Sequence, residues 1–247
     1  MRPRLRPLAL LVVATLALGA CGGTSTPALT DPKEIVTKAV EALQNAKAVH
    51  LDVSVEGSLK ADLLGTGQGA GDMSLAGTTV SGDLDLANKN AHISAAVPAF
   101  LGLTADIIVV GADTYTKVSL VGDQYQKSST TAGAPTDPAT AIQEVKDFLD
   151  KPEIAPTKKD DAKCGSKTCY AVDISLSADE LKALIPEQDL GDASIVVSIL
   201  VEKDTLYPAS LSATISGTKV GEITITISLS NWDRAVTITA PPADEIQ

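Results

Sequence analysis

Few side chains in this chain are of the kinds that do chemistry near neutral pH. There are three cysteines, Cys21, Cys164 and Cys169, and two histidines, His50 and His92. Cys164 and Cys169 stand five positions apart and could close a small disulfide loop or remain free thiols. A zinc site would need more ligands than two cysteines, and the two histidines are the only nitrogen donors of that type. His50 and His92 each alternate with apolar neighbours, which places them on the wet face of strands rather than in the role of base or ligand. Serine hydrolase chemistry lacks its G-x-S-x-G turn. Gly217-Thr218-Lys219 lacks the glycine frame of a phosphate-binding loop. The glycine-rich stretch 65–71 follows no parallel-strand pattern and opens no helix, so it reads as a hairpin turn. The acid pairs Asp160-Asp161 and Asp83/Asp85 sit in a chain of formal net charge −11 and read as ordinary solvated acids. Trp232, the single tryptophan, marks either a binding site or a packed sheet aromatic. No constellation of catalytic side chains emerges, so the reading is a non-enzyme with neither metal nor cofactor.

Cys21 has a different context. Residues 1–7 carry Arg2, Arg4 and Arg6 and no acid, residues 8–18 are apolar, and small Gly19 and Ala20 precede the cysteine. A basic head, a short apolar run and a small-residue cleavage site form a secretory signal peptide. The run is short of the roughly 20 apolar residues that span a bilayer. Leu18-Gly19-Ala20-Cys21 resembles the bacterial lipobox, in which the cysteine thiol is lipidated and the peptide before it removed. The expected organisation is a signal peptide at 1–20, a small polar tether at 21–30 and one domain at 31–247, held on the extracytoplasmic side of the cell membrane by lipid (palmitate or a similar acyl chain) on Cys21. Two or more acyl chains, at about 0.8 kcal/mol per buried methylene, give lasting attachment. Loss of the three arginines takes the net charge from −11 to −14. Nucleic acid and anionic lipid surfaces both require a cationic face, so neither is an expected partner. In an exported protein the Cys164/Cys169 pair reads as a disulfide, with free thiols the alternative.

The elements that carry these residues follow from periodicity. Asp31-Pro32 opens a helix, Asp31 as cap and Pro32 in the first turn, with Ile35, Val36, Ala39, Val40 and Leu43 at helical spacing and an end near Lys47. Val49, Leu51, Val53 and Val55 alternate with His50, Asp52, Ser54 and Glu56, a strand with one apolar and one wet face. Met73/Leu75, Leu84/Leu86 and Ile93/Ala95/Val97 continue the alternation; 107–110 is apolar on both faces, and Gly111-Ala112-Asp113 turns into Tyr115 and Lys117, a spacing of consecutive antiparallel hairpins. Asp137-Pro138 signals a second helix with Ala141, Ile142, Val145, Phe148 and Leu149 inward. Residues 151–163 read as a loop and 170–176 as a strand. Ser177 and Glu180 form a capping box for a short third helix carrying Leu181, Leu184 and Ile185. Strands return at 195–201, 211–215 and 223–229, with a last one at 236–238. The fold class is α+β, a large antiparallel sheet with a few helices. No second long apolar segment predicts a membrane-spanning helix.

Aromatics make up 3% of the chain while apolar residues reach 44%. An apolar face of Leu, Ile, Val and Ala has few bulky fillers and leaves room for acyl chains. The competing reading is a sheet sealed by its helices around a dry core, which would suit a structural or adhesive surface lipoprotein without ligand.

The ordered pieces together resemble the LppX/LprA/LprF/LprG family of mycobacterial and related lipoproteins. The matching pieces are the lipobox at Cys21 and the first helix, followed by Ala48-Val49-His50-Leu51-Asp52-Val53-Ser54-Val55-Glu56-Gly57. Then come Gly71-Asp72, Ser81-Gly82-Asp83-Leu84-Asp85-Leu86, and Ile107-Ile108-Val109-Val110-Gly111-Ala112-Asp113-Thr114-Tyr115. The ending Ile225-Thr226-Ile227-Ser228-Leu229-Ser230-Asn231-Trp232, running into Val236-Thr237-Ile238 and Pro241-Pro242, is similar to the family's last hairpin. The resemblance covers nearly the whole chain after the signal peptide. It implies a strongly bent antiparallel sheet, a half-barrel with helices on its concave side, around an apolar cavity that takes the acyl chains of lipids or glycolipids. It also implies a role in carrying such lipids across or within the envelope, with an envelope lipid transporter as a further partner, and a likeness to periplasmic lipoprotein carriers. The implied cavity residues are Leu84 first, then Leu51, Val53, Leu86 and Val109. Residues 88–104 are longer than the family pattern, and its turn at 164–169 need not carry cysteines.

Overall fold

The computed structural model describes residues 28–60, 71–129, 143, 146–184 and 191–247. Cys21, the leader, most of the tether, the glycines at 65–70, the Asp137-Pro138 helix start and the positions Ala141, Ile142, Val145 and Ile185 lie outside them.

Helix α1 (Pro32–Leu43) begins as its sequence dictates. The Asp31 carboxylate accepts from the backbone N–H of Lys33 (2.8 Å) and of Glu34 (3.2 Å), and Pro32 occupies the first turn. The helix stops at Leu43, four residues before the expected Lys47, because the chain must turn to enter the sheet. Lys47 N–H donates instead to the Asp233 carboxylate, at 2.7 Å. Helix α2 (Ala178–Leu184) closes the expected capping box: Glu180 accepts from Ser177 N–H at 2.7 Å, and Ser177 Oγ accepts from Glu180 N–H at 3.4 Å.

The rest is one antiparallel sheet. Its strands are β1 (Ala48–Lys60), β2 (Asp72–Ser74), β3 (Thr78–Asp85), β4 (Asn90–Val97), β5 (Leu103–Val110), β6 (Asp113–Val118), β7 (Gln126–Ser128), β8 (Thr157–Lys158), β9 (Ala162–Cys164), β10 (Lys167–Leu176), β11 (Ser194–Glu202), β12 (Pro208–Gly217) and β13 (Gly221–Ser230). The order runs β7-β6-β5-β4-β3-β1-β13-β12-β11-β10-β8, with β2 on β1 and β9 on β10. Two meanders, β3 to β7 and β10 to β13, are thus joined through β1, and the sheet does not close on itself. Gly57 permits the β1–β13 seam: its φ is 95°, and a Cβ there would run into the Glu222 carbonyl oxygen. Two short strands, β8 and β9, occupy what the sequence presented as a loop at 151–163. Cys164 and Cys169 are joined in a disulfide across the β9–β10 turn, with Cα atoms 6.0 Å apart.

The main core lies where α1 and α2 pack on β10 and β11. Ile35, Val36, Ala39, Leu149 and Leu181 bury against Tyr170, Val172, Ile174, Leu176 and Val201. Ile35, Val172 and Val201 have no exposed surface, and full burial of each such side chain contributes about 1.5–3 kcal/mol. Lys146 pairs with Glu41 at 2.8 Å and ties the helical turn at 146–149 to α1. Leu29 N–H donates to the Tyr170 hydroxyl at 3.1 Å, so the chain enters the domain beside β10.

The expected strand at 236–238 is absent. Asn231 and Asp233 both adopt left-handed backbone (φ 53° and 59°), which turns the chain out of the ladder after β13. The C-terminal segment instead reaches β5–β7. There Ile238 and Ile246 pack on Ile108, Tyr115 and Tyr125, and Ile246 bridges Tyr125.

Candidate functional site: an apolar sheet face

Residues directly paired across antiparallel strands point to the same side of the sheet. Val53 pairs with Ile227 and Val80, Val80 with Ala95, and Ala95 with Ala105. Ile227 pairs with Leu211, Leu211 with Ile199, and Ile199 with Val172. One aliphatic row therefore runs from β5 to β10 without a break. Parallel rows carry Leu229, Leu51, Gly82, Ile93 and Ile107, and Val49, Leu84, Ala91 and Val109. At the β10–β11 end this face is the one covered by α1 and α2. Over β1, β3, β4, β5 and β13 its side chains stay half-buried: Leu51, Val53, Val80, Leu84, Ile93, Ile107, Val109 and Ile227 retain partial exposure. Gly82 is a notch in the face. A Cβ there would stand 2.5 Å from the His92 carbonyl oxygen, and the Ile93 side chain leans over the gap.

Four of the sequence-expected cavity residues, Leu84, Leu51, Val53 and Val109, come together on this face. Leu86 falls one residue beyond β3, in the turn, and is 37% exposed. The face holds none of the sheet's aromatics over β1 and β3 to β5. Its electrostatics are those of hydrocarbon: no charged side chain points from these rows, so it offers dispersion and desolvation and no covalent chemistry.

The opposite face is polar and tightly paired over β1, β3 and β4, and carries the small apolar cluster of Ile108, Tyr115 and Tyr125 at β5–β7. His50 lies between Asp83 (2.8 Å) and Asp52 (3.3 Å), and His92 approaches Asp106 at 3.1 Å. Both histidines sit on the wet face, as alternation predicts. Ser94 donates to Asp106 at 2.5 Å, and the Tyr125 hydroxyl donates to it as well. Burial pushes the Asp106 carboxyl up, but the hydrogen bonds from Ser94 and Tyr125 and the nearby His92 outweigh it and hold the carboxyl below its usual range. Burial, then the hydrogen bond to Asp106 and its charge, push the Tyr125 phenol up to about 12. Among the described residues no group of three His, Cys, Asp or Glu side chains is arranged to hold a metal ion. This Asp106–Tyr125 pairing was not legible in the sequence, where Asp106 is one more polar position in an alternating strand. Trp232 is not a sheet residue: it follows β13 and stacks on Tyr207, ring centroids 4.5 Å apart.

The fold of this open antiparallel sheet is similar to that of two mycobacterial lipoproteins, LppX and LprF. The crystal structure of lipoprotein LppX from Mycobacterium tuberculosis is similar at a TM-score of 0.50 and 14% identity, covering 85% of this chain and all of that one. LprF from Mycobacterium bovis is similar at a TM-score of 0.53 and 17% identity, covering 87% of this chain and 98% of its own. No known protein family's profile matches the chain, and no curated protein matches it in sequence. Among the described residues no helix is long and apolar enough to cross a membrane.

Proposed function

We propose that the protein is a membrane-anchored lipoprotein that holds the acyl chains of a lipid or glycolipid against this apolar face and carries them across or within the cell envelope. The observation that supports the reading best is the continuous aliphatic surface of β1, β3, β4, β5 and β13, which the described helices leave half-exposed. Soluble proteins rarely leave a large contiguous apolar patch without a partner. In this reading the sheet bends into a half-barrel with the helices inside its curve. Leu84, Leu51, Val53 and Val109 line the cavity, and Leu86 stands at its rim. Each methylene taken from water contributes about 0.8 kcal/mol, so about ten of them offset the several kcal/mol that association costs. Lipid on Cys21 keeps the domain at the extracytoplasmic membrane surface, and the paired polar face stays in water. An envelope lipid transporter would supply or receive the cargo. No covalent step is needed.

The reading is tested by adding a phosphatidylcholine with a nitroxide on its acyl chain to delipidated protein with labelled methyl groups. Broadening of the Leu84, Val53 and Val109 methyl signals, with Leu200 on the other face unaffected, is the expected result. Absence of uptake, or broadening confined to the polar face, would favour a closed-core structural lipoprotein.

A further inference from the structure

The polar side of the sheet carries a second concavity, of about 670 Å³, that the lipid reading does not use. One wall is the disulfide-linked turn at Cys164 and Gly165, and the other is the stacked pair Tyr207 and Trp232. The floor is the row Leu200, Ser210 and Ser228, paired across β11, β12 and β13. Its volume falls within the roughly 300–1,000 Å³ usual for small-molecule sites.

The charges in its walls are satisfied internally. Glu202 is buried and accepts from Lys167 and from Thr205, both at 2.5 Å. Asp233 accepts from Lys47 N–H at 2.7 Å and from the Tyr207 hydroxyl at 2.8 Å. The indole N–H of Trp232 donates to the Pro208 carbonyl at 3.1 Å. What remains for a ligand is uncharged: Ser210, Ser228, Ser230 and Asn231 have side chains with no hydrogen-bond partner among the described residues. An ionic ligand would meet no free counter-charge, since Lys167, Glu202 and Asp233 are already paired. A ligand with many hydroxyls and flat C–H faces meets serine and amide groups on the floor and an aromatic wall beside it, since indole and phenol rings are apolar in body and polar at one tip.

We propose that this groove binds a neutral oligosaccharide, with Trp232, backed by Tyr207, as the aromatic wall and Ser210, Ser228 and Asn231 as the hydroxyl-reading floor. The site lies on the face opposite the lipid surface and stands or falls apart from it.

Trp232 is the single tryptophan, so selectively excited tryptophan fluorescence reports from the groove alone. The full exported chain is titrated with mannotriose, maltotriose and cellotriose to 20 mM, by fluorescence and by amide chemical shifts. The expected result is saturable change with at least one sugar, centred on Ser210, Ser228 and Trp232. Ser228→Leu fills the floor from an exposed position, leaves the fold intact, and should weaken binding at least tenfold. Trp232→Leu should do the same in the shift titration. Absence of saturable shifts with all three sugars overturns the proposal, as does binding that Ser228→Leu and Trp232→Leu leave unchanged.

Discussion

Replacing Leu84 by tryptophan separates an open apolar face from a filled core. Leu84 is half-buried, with fully covered Val49 on one side and small Ala91 on the other; Val109 lies beyond Ala91. An indole at 84 would extend over Ala91 toward Val109. If this face holds lipid, the ring enters space that is open in the empty protein, so lipid-free stability changes by less than about 1 kcal/mol. The ring then occupies the place of about four chain methylenes, worth about 3 kcal/mol, and lipid affinity falls on the order of 100-fold. If the face is a packed core, the larger ring overfills it and costs about 1–3 kcal/mol. At about 2–4 °C per kcal/mol for a domain of this size, that lowers the melting temperature by up to about 12 °C. The assay pairs a thermal melt of delipidated protein with lipid uptake measured by native mass spectrometry. A large fall in melting temperature with uptake unchanged would refute the reasoning.

Cys21→Ala should abolish membrane attachment or leave the leader uncleaved; membrane fractionation with the mass of the mature N-terminus checks it, and a cleaved, still attached protein contradicts it. Double replacement of Cys164 and Cys169 by alanine removes a six-residue loop closure and should cost about 2 kcal/mol in denaturant melts with the fold retained. Because the Asp106 carboxyl is held below its ordinary value of 3.8, the folded state binds fewer protons than the unfolded one near that pH. Its contribution is full above pH 3.8 and lost as pH falls through the folded value. Asp106→Asn should therefore lower the neutral-pH melting temperature and flatten the acid limb of the melting profile; a parallel acid limb would count against the assignment. Tyr125 runs the other way: with its phenol raised from 10 to about 12, its contribution is full below pH 10 and lost as pH climbs toward 12, which ultraviolet titration of Tyr125→Phe against the parent resolves.

How much of this was readable beforehand depends on the range of the interaction. Local signals held. The Asp31 cap, the Ser177/Glu180 box and the alternation of Leu51 and Val53 against Asp52 and Ser54 are fixed by near neighbours, and the structure shows each. Period-two alternation also names the face of Leu84, between Asp83 and Asp85, whereas 107–110 is apolar on both sides and gives Val109 no face of its own. It does not name partners. The pairing of β1 with β13 joins positions nearly the whole domain apart, and nothing in either strand announces it. The same limit explains the error at 236–238. Ile238 does turn an apolar side inward, but it packs on Tyr115 and Tyr125 instead of entering a ladder, because the left-handed residues Asn231 and Asp233 have already turned the chain away. The first helix ends early for a tertiary reason as well, the capture of Lys47 N–H by Asp233. The groove at Trp232 needs three stretches, 164–167, 200–210 and 228–233, to meet, so the sequence could single out the tryptophan and not its surroundings.

The half-exposed aliphatic face is the proposed seat for acyl chains. That role is tested most directly by purifying the protein from its native membrane, with Cys21 in place, and determining by native mass spectrometry what leaves it on gentle activation. The expected result is a bound lipid or glycolipid in near-stoichiometric amount, beyond the covalent anchor, that is lost or sharply reduced in Leu84→Trp. A folded protein that emerges with its anchor alone, and takes up no lipid when offered it, would contradict the account.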